Sequence, residues 1–145
     1  MPSGATGGTF NAANYTLSYV NGSLTVSKAP LTVTATAAAK NYNGLAYAGG
    51  NGVTYAGFVN GEGAAALAGT LTYGGTAQGA INAGTYAIAP TGLTSANYEI
   101  TFASGSLTVS PVALTITAAG DAKTYDGLAY AGGNGVTYAG FVNGE

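Results

Sequence analysis

The chain copies itself at a fixed offset of 83 residues, and that period constrains its fold more than any other feature. Asn14-Tyr15 returns as Asn97-Tyr98, and Leu31-Thr32-Val33-Thr34 returns as Leu114-Thr115-Ile116-Thr117. The stretch GLAYAGGNGVTYAGFVNGE, Gly44 to Glu62, recurs letter for letter as Gly127 to Glu145. Self-similarity of this kind marks a tandem array, in which one structural unit is stacked along a chain and function arises from length or display rather than from one unique pocket. The period divides the chain into the C-terminal part of one unit (1–30), one complete unit (31–113) and the N-terminal part of the next (114–145). Pro2-Ser3-Gly4 aligns with Pro90-Thr91-Gly92, so Met1 reads as a cut made inside a unit. Ala5 to Ala13 then takes the place of Leu93 to Ala96, which reads as a longer loop without chemistry.

Within the unit the large apolar residues alternate with Thr, Ala or Ser, which gives strands one dry and one wet face. Leu31, Val33 and Ala35 set the pattern, and Leu71 and Tyr73, Tyr86 and Ile88, Tyr98, Ile100 and Phe102, and Leu107 and Val109 continue it. Asn43-Gly44, Asn51-Gly52, Asn60-Gly61, Gly74-Gly75 and Ser104-Gly105 supply turns, because these residues reach positive φ at little steric cost. Tyr98 to Val109, broken at Ser104-Gly105, reads as a hairpin, and the parity change around Gly57 as a bulge or sharp bend. Gly63 to Ala68 has helix propensity for one or two turns, with Glu62 near its positive end. The expected fold is mostly β: tandem antiparallel β-rich units, sandwich or β-grasp-like, of about 83 residues with one short helix each. The core should be thin and partly built from Tyr rings. Leu24 to Ser27 should form the last strand of one unit and run through Lys28-Ala29-Pro30 directly into the first strand of the next, too short a junction for a flexible tether.

Three Lys, no Arg and five acids leave a net charge of −2 and no cationic surface for nucleic acid or an anionic membrane. With no Cys there is neither a disulfide framework nor a thiolate metal site. No apolar run is long enough to span a bilayer. Low charge with abundant Gly, Ala, Thr, Asn and Tyr suits an extracellular bacterial β-protein.

Four segments in one period carry a resemblance. They are Lys123-Thr124-Tyr125-Asp126-Gly127, Gly57-Phe58-Val59-Asn60-Gly61-Glu62, Gly79 to Tyr86, and Asn97-Tyr98 followed by Gly105-Ser106-Leu107-Thr108-Val109. Together they resemble the YDG and MBG (mostly beta, glycine-rich) repeats of filamentous-haemagglutinin-like adhesins and other large bacterial surface proteins. The resemblance covers nearly the whole chain and implies a secreted or surface-anchored repeat region without catalytic residues. In the complete unit the name-giving motif reads Tyr42-Asn43-Gly44. Asp and Asn both suit the residue before a turn glycine, so this position should shape a turn.

Without His or Cys the usual general bases and nucleophile activators are missing, and the complete unit has only Glu62 and Glu99 as carboxylates. A glycosidase needs two facing acids, and Thr16 stands where Glu99 would recur. No catalytic residue, cofactor or metal is therefore assigned. Gly49-Gly50-Asn51-Gly52-Val53-Thr54 lacks the carboxylate of a β-roll calcium turn and reads as a plain glycine loop. Asp121 and Asp126 would suit calcium only in one unit, since Ala38 and Asn43 replace them in the other. Lys40 and Glu62 recur as Lys123 and Glu145 and read as a structural ion pair, with a Lys–Asn isopeptide as the bolder alternative. Tyr47, Tyr55, Tyr130 and Tyr138 could stack sugars in an aromatic ladder, against the plainer reading as core or cross-strand residues.

These features describe a non-catalytic stalk or spacer of a bacterial adhesin at the cell surface, whose partners are neighbouring repeats of the same chain. The alternatives are a module that binds host or matrix glycans by avidity, and a fibre subunit that self-associates through open strand edges.

Overall fold

The computed structural model describes residues 3–4 and 8–145. Of the loop expected at Ala5 to Ala13, residues 5–7 lie outside the described residues, as do Met1 and Pro2. Further on, Asn11 caps a short 3-10 turn, Ala12–Asn14, by accepting the Ala13 N–H.

Nine strands follow: β1 (Ala29–Ala35), β2 (Ala38–Asn41), β3 (Val53–Ala56), β4 (Ala68–Gly74), β5 (Gly84–Thr94), β6 (Tyr98–Ala103), β7 (Gly105–Ser110), β8 (Thr115–Ala118) and β9 (Val136–Ala139). They form a three-stranded sheet β3-β1-β6, a four-stranded sheet β2-β7-β5-β4 and a two-stranded sheet β8-β9. The mostly β reading is thus what the chain shows. The antiparallel expectation needs correction, because β1 pairs with β6, and β2 with β7, in parallel. Ala29 lies opposite Tyr98 and Ala38 opposite Leu107, one common offset through both sheets. Two long strands therefore run side by side from the first sheet into the second and change sheets together.

The change of sheet accounts for two further differences. Ser104-Gly105 does not turn the chain back: β6 and β7 lie in different sheets and do not pair. Gly105 is needed there because a Cβ would sit 2.4 Å from the Ala35 carbonyl oxygen, where the two strands cross most closely. At Gly57, φ is 120° and a Cβ would meet the Pro30 carbonyl at 2.4 Å, so this glycine ends β3 against β1. The register shift lies elsewhere, between Gly69 and Thr72 of β4.

Two small cores result. Ala35, Ala77, Ala80, Ile88, Leu107 and Val109 form one, with Tyr42, Tyr47, Tyr73 and Tyr86 packed around it. Leu31, Val33 and Tyr98 form the other, bordered by Tyr55, Phe58, Leu67, Leu93 and Ile100. β5 serves both, through Ile88 and Leu93. Pro90 sits beyond the part of β5 paired with β7, where its missing N–H leaves no ladder bond unmade. The predicted helix is reduced to one 3-10 turn, Ala64–Ala66, without a side-chain cap. Three alanines cannot meet the nucleation cost of an α-helix before β4 starts at Ala68.

β8 and β9 repeat the β1–β3 pairing. Thr115 lies opposite Ala139 as Thr32 lies opposite Ala56, and Ala118 opposite Val136 as Ala35 opposite Val53. The strand expected at Leu24 to Ser27 is absent: residues 15–28 are in no sheet and exposed.

Candidate functional site

The turn Val59-Asn60-Gly61-Glu62 follows β3. Asn60 and Gly61 both take positive φ, 53° and 73°, and the Glu62 N–H closes the turn on the Val59 carbonyl at 3.0 Å. Asn-Gly suits such a turn because neither residue resists that conformation strongly. The turn serves the first residue of β6. The Tyr98 hydroxyl accepts the Val59 N–H at 3.2 Å and donates to the Glu62 carboxylate. Phe58 meets the Tyr98 ring edge-on, with centroids 5.3 Å apart. Tyr98 is 2% exposed, so this pair of hydrogen bonds satisfies a phenol inside an apolar cluster. The bond to Glu62 raises the Tyr98 pKa above that of ordinary tyrosine.

The same turn recurs past β9. Asn143 and Gly144 have φ of 53° and 80°, and the Glu145 N–H reaches the Val142 carbonyl at 3.3 Å. Here the carboxylate accepts from a different tyrosine, Tyr42, next to the end of β2, whose pKa is raised by that bond. The contact ties the double-sheet body to the β8–β9 hairpin across the segment 111–114. Around it lies an open groove of about 290 Å³ lined by Tyr42, Ala83, Pro111, Val112, Leu114, Gly140, Phe141, Val142 and Glu145. The lining is mainly apolar, with the Tyr42–Glu145 pair at its polar end.

The residues singled out in the sequence take plainer places. Lys40 and Glu62 are not an ion pair: the Lys40 ammonium donates to the Leu45 carbonyl at 2.6 Å, while Glu62 holds Tyr98. Lys123 reaches the Leu128 carbonyl at 2.7 Å in the same way and adds an ion pair with Asp126 at 2.7 Å. No Lys–Asn pairing suited to an isopeptide stands among these contacts. Asn43 and Asp126 each accept the N–H two residues on, from Leu45 at 3.1 Å and Leu128 at 2.9 Å, so the name-giving position builds an Asx turn. Lys123 holds the Asp126 carboxyl below its ordinary pKa, and the Tyr130 hydroxyl does the same for Asp121. Asp121 and Asp126 thus have separate partners, and among the described residues no three metal-binding acids gather.

Tyr47 and Tyr55 do not form an outward ladder. Tyr47 packs on the first core, and Tyr55 on the second with its ring 5.5 Å from Phe58. Their counterparts Tyr130 and Tyr138 are about half exposed, at 52% and 54%. The glycine loop closes the β1–β3 hairpin: Gly52 accepts the Thr36 N–H at 3.0 Å, and the Asn51 amide donates to Ala37 at 2.9 Å. Gln78 fastens the same loop through two bonds to the Gly49 backbone, 2.8 and 2.7 Å. Tyr42, Tyr98 and Gln78 escaped the sequence reading. The repeat of Asn-Tyr at 14–15 and 97–98, beside the repeat of Glu62 at 145, was the available signal for Tyr98.

Among the described residues no helix is long and apolar enough to cross a membrane. The family model of the MBG domain (YGX type) matches residues 31–108. No curated protein and no solved structure matches the chain.

Proposed function

The chain belongs to the family of MBG domains of the YGX type, and on that premise we infer that it is a non-catalytic spacer: a run of β-rich units that carries other parts of a bacterial surface adhesin away from the cell. MBG domains occur in extracellular surface proteins, which supports that location. The observation that carries the reading is the clasp between Tyr42 and Glu145, which joins the body at 29–110 to the next hairpin across a segment of four residues. A polar bond between two neighbours joined by so short a segment resists bending, and resistance to bending is what a spacer needs. The carboxylate has an oxygen for each side: Glu62 holds Tyr98 through Oε2 and Glu145 holds Tyr42 through Oε1. In a longer array each such Glu would serve its own unit and the one before it. The partners in this reading are neighbouring units of the same chain.

The test is small-angle scattering on a polypeptide of three successive units beside a single unit. The expected outcome is a rod-like profile whose maximum dimension rises in nearly equal steps. A compact particle, or freely jointed units, would overturn the spacer reading.

A further inference from the structure

Residues 15–27 stand 83 positions before β6 and β7, and residues 112–124 stand 83 positions after β1 and β2. Inside 29–110 these two stretches form the parallel ladder that crosses both sheets. In the flanking segments the same kinds of side chain lie bare. Leu24 and Val26 are 89% and 86% exposed where Leu107 and Val109 are 0% and 2%, and Ile116 is 59% exposed where Val33 is 0%. The groove beside Glu145 belongs to this pattern. Val112, Leu114, Phe141, Val142 and Glu145 line it. The residues 83 positions earlier are Ala29, Leu31, Phe58, Val59 and Glu62, the set that surrounds Tyr98.

We propose that this groove receives Tyr15 from a second copy of the chain, whose residues 15–20 add to the free edge of β8 as a parallel strand. The register is that of β1 on β6: Val112 opposite Tyr15, Leu114 opposite Leu17, and Ile116 opposite Tyr19. The incoming phenol accepts the Val142 N–H and donates to the oxygen of Glu145 that Tyr42 leaves free, as Tyr98 does with Val59 and Glu62. Main-chain bonds along a sheet edge supply affinity, and the aromatic seat fixes the register.

The donor is a second molecule because the chain's own head runs the wrong way. Residues 15–27 lead into Ala29 at the start of β1, whereas the groove abuts Tyr42 and Pro111, past the ends of β2 and β7. In register, the donor strand must run parallel to 112–124, away from the body to which its own Ala29 is fixed. The contact joins one molecule's tail to another's head, two different surfaces, so association continues as an open filament instead of closing into a dimer. The pairing is a property of the two stretches, and applies wherever each lies without its partner. It is independent of the spacer reading, whose scattering test uses complete units with their own ladders.

Sedimentation equilibrium of the 145-residue chain over a wide concentration range tests the proposal. The weight-average mass should climb with concentration beyond that of a dimer, and Tyr15→Ala should hold it at the monomer while leaving the unfolding of 29–110 unchanged. Because the chain has no cysteine, register can be read by mixing single variants under oxidising conditions. Ser18→Cys with Thr115→Cys, which stand opposite each other on the outer face, should link; Thr16→Cys with Thr115→Cys should link several-fold less. A mass that stays monomeric, association that survives Tyr15→Ala, or equal linking of both pairs would overturn it.

Discussion

Tyr98 shows how a thin core can hold a polar group. Its ring completes the cluster with Leu31 and Val33, and its hydroxyl is used both as acceptor, from Val59, and as donor, to Glu62. Tyr98→Phe keeps the ring but leaves the Val59 N–H and the Glu62 carboxylate without that partner, so the melting temperature should fall by several degrees. The raised pKa has a definite sign. The folded state favours the protonated phenol, so this stabilisation is complete below the ordinary tyrosine pKa and is lost as pH rises through the higher folded value. Absorbance titration of the 11 tyrosines should show a late-ionising phase from Tyr42, Tyr98 and Tyr130, all raised by carboxylate partners, and Tyr98→Phe should shrink it. An unchanged late phase would count against the assigned bonds. Asp121 and Asp126 behave in the opposite sense. Their pKa values are lowered in the fold, so what they contribute is present above the ordinary carboxylate pKa and lost as pH falls through the lower one.

At the scale of the element, the residues that face inward were legible and the direction of the strands was not. Alternation marks Leu31, Val33, Leu107 and Val109 as inward-facing, and all four are buried. Alternation is the same for parallel and antiparallel neighbours, so nothing in Tyr98 to Val109 distinguishes a hairpin from one strand that changes sheets. Ser104-Gly105 misleads because glycine answers two needs, a turn and a close approach, and here the approach to Ala35 decides. The candidate site was less legible still, since it depends on Tyr42 meeting a residue 103 positions away. The crossing makes a prediction of its own. Gly105→Ala should cost about 1–3 kcal/mol, because the added carbon meets fixed backbone and both strands must move apart. Ile88→Ala, at a fully buried point of β5, should cost about 2–5 kcal/mol by leaving a cavity between sheets that have little else to fill it. Chemical denaturation checks both, and a Gly105→Ala chain as stable as the parent would refute the close crossing.

Across the whole molecule, stability should be uneven in a way that follows strand count. Between Ala29 and Ser110 every strand belongs to a sheet of three or four, and both cores lie there. β8 and β9 pair only with each other, and all eight of their residues are exposed. A lone two-stranded pair is marginal in water, so its persistence must lean on the junction, chiefly on Glu145 held by Tyr42. Hydrogen exchange should therefore rank the chain: amides of β1, β5 and β7 open only with global unfolding, and those of β8 and β9 open locally and far faster. Tyr42→Phe should raise exchange at 115–118 and 136–139 several-fold, while the melting of the body stays within about 0.5 kcal/mol of the parent, since the bond lies on its surface. If β8 and β9 were protected as well as β1 in the monomer, or indifferent to Tyr42→Phe, the clasp would not be what couples one unit to the next. The rigidity of an array would then have to come from the covalent junction alone.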